Sequence, residues 1–256
     1  MIKKVSHSCF DWIKSSTTTS KEPSVSDCIP PLFEAYCKVL HTIYIDTSIE
    51  DLNITWDDYI KSNRDFNPDD PIENLLSNAT YNYGQPNEDF EGVQVSWKDL
   101  AKSFNIKFVP ELNAGSFSKK FKNGSWPRYL VGPTEGLLTE QETNTIINII
   151  SDMYPNEDVY FRFFLMSTIK LENDLFFKGK LTDYLLFQNS KEVISSPNHV
   201  WPQSKEWCVC TDYDLTFTLI GGSRQLINNF LNSDDLECLE VLPKTGVSYL
   251  ADKINS

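Results

Sequence analysis

The sequence predicts an α+β fold, with a mixed, mostly antiparallel β-sheet flanked by helices and a long acidic surface insertion. Three observations support this prediction. Hydrophobic residues make up 40% of the 256 residues and aromatic residues 13%, which is enough apolar surface for a sizeable core. Several segments combine helical periodicity with helix-capping residues. The last third of the chain alternates strand-like and helix-like segments, as α+β domains do.

The chain begins with a polar segment, residues 1–30, and the serines, threonines and prolines at residues 15–30 predict loop structure there. We interpret residues 31–256 as a single α+β domain. The stretch PPLFEAYCKVLHTIY at 30–44 fits a helix, and a strand with period two fits it nearly as well. The residues that would face a core together are Phe33, Tyr36, Val39 and Leu40.

Three segments predict helices with a side-chain N-cap, because a Ser or Thr precedes an apolar stripe in each of them. These helices are predicted for residues 96–104, 137–154 and 223–232. The predicted caps are Ser96 with Asp99, Thr139 with Glu142, and Ser223. The second of these segments has the clearest amphipathic pattern in the chain.

Aromatic and β-branched residues predict strands in three further segments. These are VYFRFFLMSTI at 159–169, DYLLF at 183–187 and LECLEVL at 236–242. The stretch WCVCTDYDLTFTLI at 207–220 also alternates. If it is a continuous strand, one face carries Cys208, Cys210, Asp212 and Asp214.

Composition excludes several classes of protein. The formal net charge of −13 argues against a nucleic-acid binder, because phosphate contacts need a basic surface. No run approaches the roughly 20 apolar residues that a membrane span needs. No apolar stretch follows Lys3 and Lys4, so we expect no signal peptide. Six scattered cysteines indicate reduced thiols, so we expect a cytoplasmic protein.

The acidic residues are concentrated in an insertion at about residues 46–91. This segment holds twelve acidic residues against Lys61 and Arg64, a net charge of −10. It has little periodicity and reads as a surface insertion, with a short helix near PIENLLSNA. The following stretch, 98–128, is mostly basic. A concentrated acidic patch would steer a basic partner and speed its association.

The WCVCTDYD stretch invites a search for metal or acid–base chemistry. Cys208 and Cys210 with His199 nearby could hold zinc, but the Cys-x-Cys spacing lacks the usual spacer and a second ligand pair. We therefore interpret the two cysteines as packed core thiols and expect no metal and no cofactor. Asp212 and Asp214 could bind a cation or form an acid–base pair, but a strand-exit or partner-contact role fits better.

Other chemical motifs are weaker. Gly221-Gly222-Ser223 fits neither a phosphate-binding loop nor a dinucleotide fingerprint, so Ser223 is better explained as an N-cap after a tight turn. Arg224 in the following helix could bind an anion. His41 is interpreted as a structural histidine, and Trp201 and Trp207 as a possible aromatic rim for a partner.

The chain resembles an uncharacterised family of bacterial cytosolic proteins. The resemblance rests on FEAYCKVLH, VSWKDLAKSF, GPTEGLLTEQETNTIINII and the block from SPNHVWPQSKEWCVCTDYD to GGSRQLINNF, which occur in the family's order. This chain departs from the family pattern at Thr42, where a proline is expected, and at Val200, where a tryptophan is expected. It also carries the acidic insertion. The resemblance supports the fold prediction and leaves function open.

Two functional hypotheses follow. The first is a non-enzymatic binding protein, an immunity protein that neutralises a basic toxin by electrostatic capture. The contact residues predicted for it are Asp57, Asp58, Asp69, Asp70, Trp201, Asp212 and Asp214, and no catalytic residues are predicted. The alternative is an enzyme or small-ligand domain centred on Asp212, Asp214, Ser223 and Arg224. A pocket in which those four side chains converge would favour the alternative.

Overall fold

The computed structural model describes residues 2–62, 92–169, 174–190 and 192–255. In chain order the strands are β1 (Lys3–Lys4), β2 (Ala35–Leu40), β3 (Ile43–Asp46), β4 (Gly92–Val95), β5 (Leu130–Val131), β6 (Asp158–Phe163), β7 (Leu175–Lys180), β8 (His199–Pro202), β9 (Cys208–Cys210), β10 (Phe217–Gly222) and β11 (Cys238–Val241). The α-helices are α1 (Asp11–Ser16), α2 (Val25–Cys28), α3 (Trp56–Ser62), α4 (Trp97–Ser103), α5 (Ala114–Ser118), α6 (Glu140–Met153) and α7 (Arg224–Leu231). Short 3₁₀ helices cover His7–Phe10, Lys122–Gly124, Leu165–Ser167 and Leu181–Asn189.

The structure confirms the predicted α+β fold, and the chain divides into two compact units. The larger unit comprises Met1–His41, Val109–Glu111 and Glu135–Ala251, and the smaller one the rest of the chain. A compact unit is not by itself an independently folding domain, so the single domain predicted for residues 31–256 stays a prediction. The predicted short helix of the acidic insertion lies outside the described residues.

The larger unit is built on an eight-stranded sheet in the order β1-β7-β6-β8-β9-β10-β2-β11. Every neighbouring pair is antiparallel, so this sheet is antiparallel throughout, whereas the sequence predicts a mixed, mostly antiparallel one. One face of this sheet forms the main core. The alternating residues Val159, Phe161 and Phe163 of β6 are buried there together with apolar side chains of α6 and α7.

The opposite face of this sheet is covered by the N-terminal segment. The ring of Phe10 lies 5.1 Å from the His199 ring and 5.6 Å from the Trp201 ring, both on β8. Ile13, Val25 and Ile29 are also buried. The prediction of a loop at residues 15–30 is therefore wrong in part, because helix α2 forms within it and Val25 and Ile29 are buried.

The smaller unit contains a three-stranded antiparallel sheet in the order β4-β3-β5. Its core is an aromatic cluster of edge-to-face and tilted ring contacts at centroid distances of 5.0–6.3 Å. The rings of this cluster belong to Trp97, Phe104, Phe117, Phe121 and Trp126.

The capping predictions are confirmed. Ser96 Oγ accepts a hydrogen bond from the Asp99 backbone N–H (3.0 Å), and Ser223 Oγ accepts one from Leu226 (3.2 Å). Thr139 and Glu142 form the complete capping box at the start of α6. Local side-chain chemistry is read easily from sequence because both partners lie within three residues of each other.

Two segments differ from what local sequence patterns favour. Residues 35–40 form strand β2 and not a helix, and all six side chains are buried because both faces of the sheet are packed against other parts of the chain. The strand predicted at DYLLF is wrong, since these residues lie in the 3₁₀ helix Leu181–Asn189. Asp183 begins that helix by accepting the Lys180 backbone N–H at 2.9 Å. Among the described residues, none of the helices has the length and apolar character of a membrane span.

We expect Thr139→Ala to lower the free energy of unfolding by about 1 kcal/mol, because it leaves an N-terminal N–H of α6 without its acceptor. Urea denaturation measures this difference. The matched control is Gln141→Ala on the exposed side of the same helix, which should be neutral or slightly stabilising. Equal effects of the two substitutions would show that the cap does not stabilise α6.

Candidate functional site

The predicted contact residues are found in both units. Asp57 and Asp58 lie in the first turn of α3 in the smaller unit. Asp212 and Asp214 lie between β9 and β10 in the larger unit. Asp69 and Asp70 lie outside the described residues. Each group is therefore described within its own unit.

Asp58 has a structural role at the start of α3. Its carboxylate accepts the Thr55 backbone N–H (3.3 Å), Thr55 Oγ1 accepts the Asp58 N–H (3.2 Å), and Lys122 Nζ lies 2.9 Å from Oδ2. The Lys122 ammonium and these hydrogen bonds lower the pKa of Asp58. Asp57, in contrast, is exposed. Asp57 is therefore the better placed of the two to meet a partner.

The segment around Asp57 is acidic in sequence, but basic side chains of the smaller unit lie beside it. Lys122 pairs with Asp58, and the Arg128 guanidinium lies 3.9 Å from the Tyr59 ring centre. Residues 42–60 contain Asp46, Glu50, Asp51, Asp57 and Asp58, and no lysine or arginine. Asp46 and Asp51 each accept the backbone N–H two residues ahead, at 2.9 Å, which orders the loop between β3 and α3. Among the described residues, Asp58 is the one of these five acidic residues that forms an ion pair, with Lys122.

Asp212 and Asp214 lie in a tight turn and not on a continuous strand. Strand β9 ends at Cys210, so the shared face predicted for the two cysteines and the two aspartates stops there. Asp212 Oδ1 accepts the Asp214 N–H, and the Asp212 carbonyl accepts the Leu215 N–H, both at 3.1 Å. Asp212 is half-buried and Asp214 exposed. The strand-exit interpretation is thus confirmed.

A third carboxylate, Glu135, joins this turn. The Gly136 N–H donates to the Leu215 carbonyl (3.0 Å), which brings residue 135 beside the turn. Gly136 has φ +63°, and a Cβ there would lie 2.5 Å from Tyr213 Cα. We call Glu135, Asp212 and Asp214 the carboxylate cluster. Sequence analysis missed Glu135, because this contact joins segments far apart in the chain.

The carboxylate cluster is electrostatically unfavourable. Glu135 is exposed as a residue, but neighbouring protein atoms partly desolvate its carboxyl group and raise its pKa, and the nearby Asp214 charge raises it further. Burial is also the largest cause of the raised pKa of Asp212, and the Asp214 charge adds to it. These effects exceed the opposing hydrogen bond from Asp214 and the attraction of Arg162. Two carboxylates thus ionise less readily than isolated ones do.

The Arg162 charge acts on Asp212 and lowers its pKa, but the Arg162 guanidinium is already engaged by other groups. It donates to Asp174 Oδ2 at 2.9 and 3.2 Å, and it lies 4.1 Å from the Phe10 ring centre and 4.5 Å from that of Phe164. Its side chain is 13% exposed. Arg162 is therefore fixed in place and neutralises Asp212 incompletely.

His199 is a buried neutral histidine. Its Nε2 donates to the Cys28 carbonyl at 2.9 Å, which fixes the tautomer, and Nδ1 has no partner within the described residues. Burial lowers the pKa of His199 to about 3, with a further contribution from the Arg162 charge. His41 is also buried, with Nε2 3.0 Å from Thr218 Oγ1, as a structural histidine should be.

The aromatic rim predicted at Trp201 and Trp207 is wrong, because each tryptophan is 1% exposed. Trp201 lies on β8 between the Phe10 ring and the Tyr160 ring, which it stacks against at 5.5 Å. Trp207 belongs to the main core. Trp201 is therefore a packing residue and presents almost no surface to a partner.

The alternative site is not assembled. Asp212 and Asp214 precede β10, whereas Ser223 and Arg224 follow it. A strand of six residues separates the two pairs by about 20 Å. Ser223 caps α7, and Arg224 pairs with Glu240 while its backbone N–H donates to Glu34 (2.9 Å). These four residues therefore do not form one catalytic or ligand-binding centre.

The cysteines of β9 are buried, Cys208 at 0% and Cys210 at 1% exposure, in line with the interpretation as packed thiols. Across residues 2–62, 92–169, 174–190 and 192–255, no three His, Cys, Asp or Glu side chains are grouped as metal ligands.

The larger unit has a half-open cavity of about 340 Å³ that sequence analysis did not predict. Trp12, Tyr160 and Trp201 line it, with Asp11 and Lys205 as charged lining residues. Trp12 Nε1 has no hydrogen-bond partner among the described residues. The carboxylate cluster does not line this cavity, so the two features are separate.

Comparison with known proteins found no match. No protein-family model, no curated protein and no solved structure matches the chain. The resemblance to the bacterial family described above therefore stays a prediction.

We expect Gly136→Ala to lower the free energy of unfolding by about 2 kcal/mol or more, because the new Cβ would overlap the Tyr213 backbone. The matched control is Gly124→Ala, where φ is +72° but the nearest atom to a new Cβ is 3.8 Å away. Thermal or urea unfolding compares the two. Equal losses would mean that backbone conformation alone matters and that the close approach does not hold the cluster together.

Proposed function

We propose that the protein is a non-enzymatic binding protein that captures a basic protein partner, as an immunity protein captures a basic toxin. The observation that carries this proposal is the carboxylate cluster of Glu135, Asp212 and Asp214, whose charges repel one another and are incompletely neutralised. A lysine or arginine of a partner placed among them would relieve that repulsion. Relief of this repulsion would make the free energy of binding more favourable.

The charge of the whole chain supports the same proposal. With a net charge of −13, the protein attracts a basic partner over a distance of about one Debye length, which speeds encounter. The exposed Asp57 and its acidic neighbours between residues 46 and 58 offer a second acidic surface, in the smaller unit. A reducing cytoplasm, the compartment we propose, would suit the free cysteines.

If the carboxylate cluster serves binding, removing its charges should stabilise the free protein. We expect the triple variant Glu135→Gln, Asp212→Asn, Asp214→Asn to be more stable than the wild type by about 0.5–1 kcal/mol, because like-charge repulsion is removed while the amide oxygens keep the Asx turn. The same variant should bind its basic partner at least roughly tenfold more weakly. Chemical denaturation and titration calorimetry measure the two effects.

The matched control is Asp234→Asn, which removes an exposed carboxylate from the loop after α7. It should leave both stability and affinity within error of the wild type. If the triple variant lost stability, the cluster would be stabilising the fold, and a role reserved for a partner would be contradicted.

The pH dependence of binding should follow the raised pKa values of Glu135 and Asp212, whose ordinary values are 4.5 and 3.8. Both groups protonate at a higher pH than ordinary carboxyls, so affinity should start to fall early as the solution is acidified. Acidification has the opposite effect on the folding stability of the free protein, which should rise. The folded state binds these protons more tightly than the unfolded state, so the destabilisation is full above the folded pKa and disappears as pH falls through it.

Measuring affinity and unfolding of the wild type and the triple variant from about pH 3 to about pH 8, a range that includes the ordinary carboxyl pKa values, separates these two contributions. The difference in stability should shrink on acidification while the difference in affinity shrinks as well. A pH-independent affinity would contradict a role for the cluster in binding.

The identifying experiment is affinity capture from a lysate of the source cells with three immobilised proteins: wild type, triple variant and Asp234→Asn. We expect a stoichiometric basic protein on the wild type and on Asp234→Asn, released by salt and absent from the triple variant. Co-expression should then show that the wild type suppresses the partner's toxicity. Equal capture by all three proteins would contradict the cluster as the contact surface, and a captured partner without toxicity would contradict the immunity role.

A further inference from the structure

Two cysteines from distant parts of the chain lie close together on the face of the eight-stranded sheet that packs against the N-terminal segment. Cys210 ends β9, directly opposite His199 of β8, so the two side chains share one face. Cys28 ends α2, and its carbonyl accepts the Nε2 hydrogen of that same histidine at 2.9 Å. His199 thus places Cys28 over the strand that carries Cys210.

The Cys28 thiol is also a neighbour of the Cys210 thiol, and it is the main cause of the raised pKa of Cys210. Their surroundings differ. Cys210 is 1% exposed, whereas Cys28 is a half-buried residue. We therefore expect Cys28 to react first with a small oxidant, and Cys210 to be the buried thiol beside it.

We propose that Cys28 and Cys210 form a redox-active dithiol that hydrogen peroxide converts to a disulfide. The Cys28 sulfur attacks one peroxide oxygen, the O–O bond breaks, and Cys28 sulfenic acid and one water are formed. The Cys210 sulfur then attacks the Cys28 sulfur, an S–S bond forms, and the hydroxyl leaves as a second water with the Cys210 proton. Two thiols are oxidised, and one peroxide is reduced to two waters.

A second pair of neighbouring thiols, Cys37 and Cys238, provides an internal comparison. In the β2–β11 register Cys238 is opposite Val39, and Cys37 is opposite Glu240, so the two cysteines are diagonal neighbours. Diagonal Cα atoms are about 7–8 Å apart, beyond the usual disulfide range of about 4.4–6.8 Å. Both strands are held by their ladder, whereas Cys28 ends a four-residue helix outside the sheet. We therefore assign the reactive pair to Cys28 and Cys210.

Oxidation would fasten the N-terminal segment to the sheet. A Cys28–Cys210 bond closes a loop that spans most of the larger unit, and closing such a loop restricts the unfolded chain. The oxidised protein should therefore unfold at a higher temperature than the reduced protein, by several degrees. The proposal does not depend on the proposed basic partner, but Asp212 of the carboxylate cluster is two residues from Cys210, and its charge is one of the causes that raise the pKa of Cys210.

The test treats the folded full-length protein with hydrogen peroxide, blocks remaining thiols with N-ethylmaleimide and maps peptides by mass spectrometry without reduction. We expect one cross-linked species that joins the peptides of Cys28 and Cys210 and has lost two hydrogen atoms. Dithiothreitol should restore the thiols and the lower unfolding temperature. Cys28→Ser should abolish the cross-link, and Cys208→Ala, which alters a buried cysteine on the same strand, should retain it.

A cross-link between Cys37 and Cys238 in the folded wild type would overturn the assignment. So would oxidation of Cys28 to sulfinic acid without a cross-link, because Cys210 would then not resolve the sulfenic acid. Both outcomes are read from the wild-type protein, so they hold even if a cysteine variant folds poorly.

Discussion

An eight-stranded antiparallel sheet has two faces, and each must be covered for the larger unit to fold. Helices α6 and α7 cover one face with the apolar stripes that their sequences display. The N-terminal segment covers part of the other face, where the Phe10 ring contacts Phe176, His199 and Trp201 and the Cys28 carbonyl accepts a hydrogen bond from His199. The buried positions of His199, Trp201 and Cys210 follow from that second cover. Without the N-terminal segment these side chains would face solvent.

The second cover also sets the electrostatics of the candidate site. Phe10 and Phe164 hold the Arg162 guanidinium, and Asp174 takes its best hydrogen bonds, so little of its charge remains for Asp212. Gly136 then brings Glu135 to the Asp212–Asp214 turn. The fold thus keeps three carboxylates together and tolerates their repulsion. Proteins commonly accept such a cost where a partner supplies the missing charge.

Sequence reasoning succeeded where the determining contacts are local. The caps Ser96, Thr139 and Ser223 were predictable because each acceptor and donor lie within three residues. It failed where distant segments decide. Trp201 looked like surface beside a polar loop, but Phe10 and Tyr160 bury it. Residues 35–40 are a strand because they lie between β10 and β11, a neighbourhood invisible to local periodicity. Glu135 and the pairing of Cys28 with Cys210 depend on such contacts too.

The proposed binding role depends on raised pKa values of Glu135 and Asp212 in the free protein. Carbon-13 NMR titration of the side-chain carboxyls tests this without any knowledge of the partner. We expect titration midpoints above the ordinary 4.5 for Glu135 and 3.8 for Asp212, and both midpoints should fall towards those values in Asp214→Asn. Ordinary midpoints in the wild type, or midpoints unmoved by Asp214→Asn, would contradict the electrostatic repulsion on which the proposal rests.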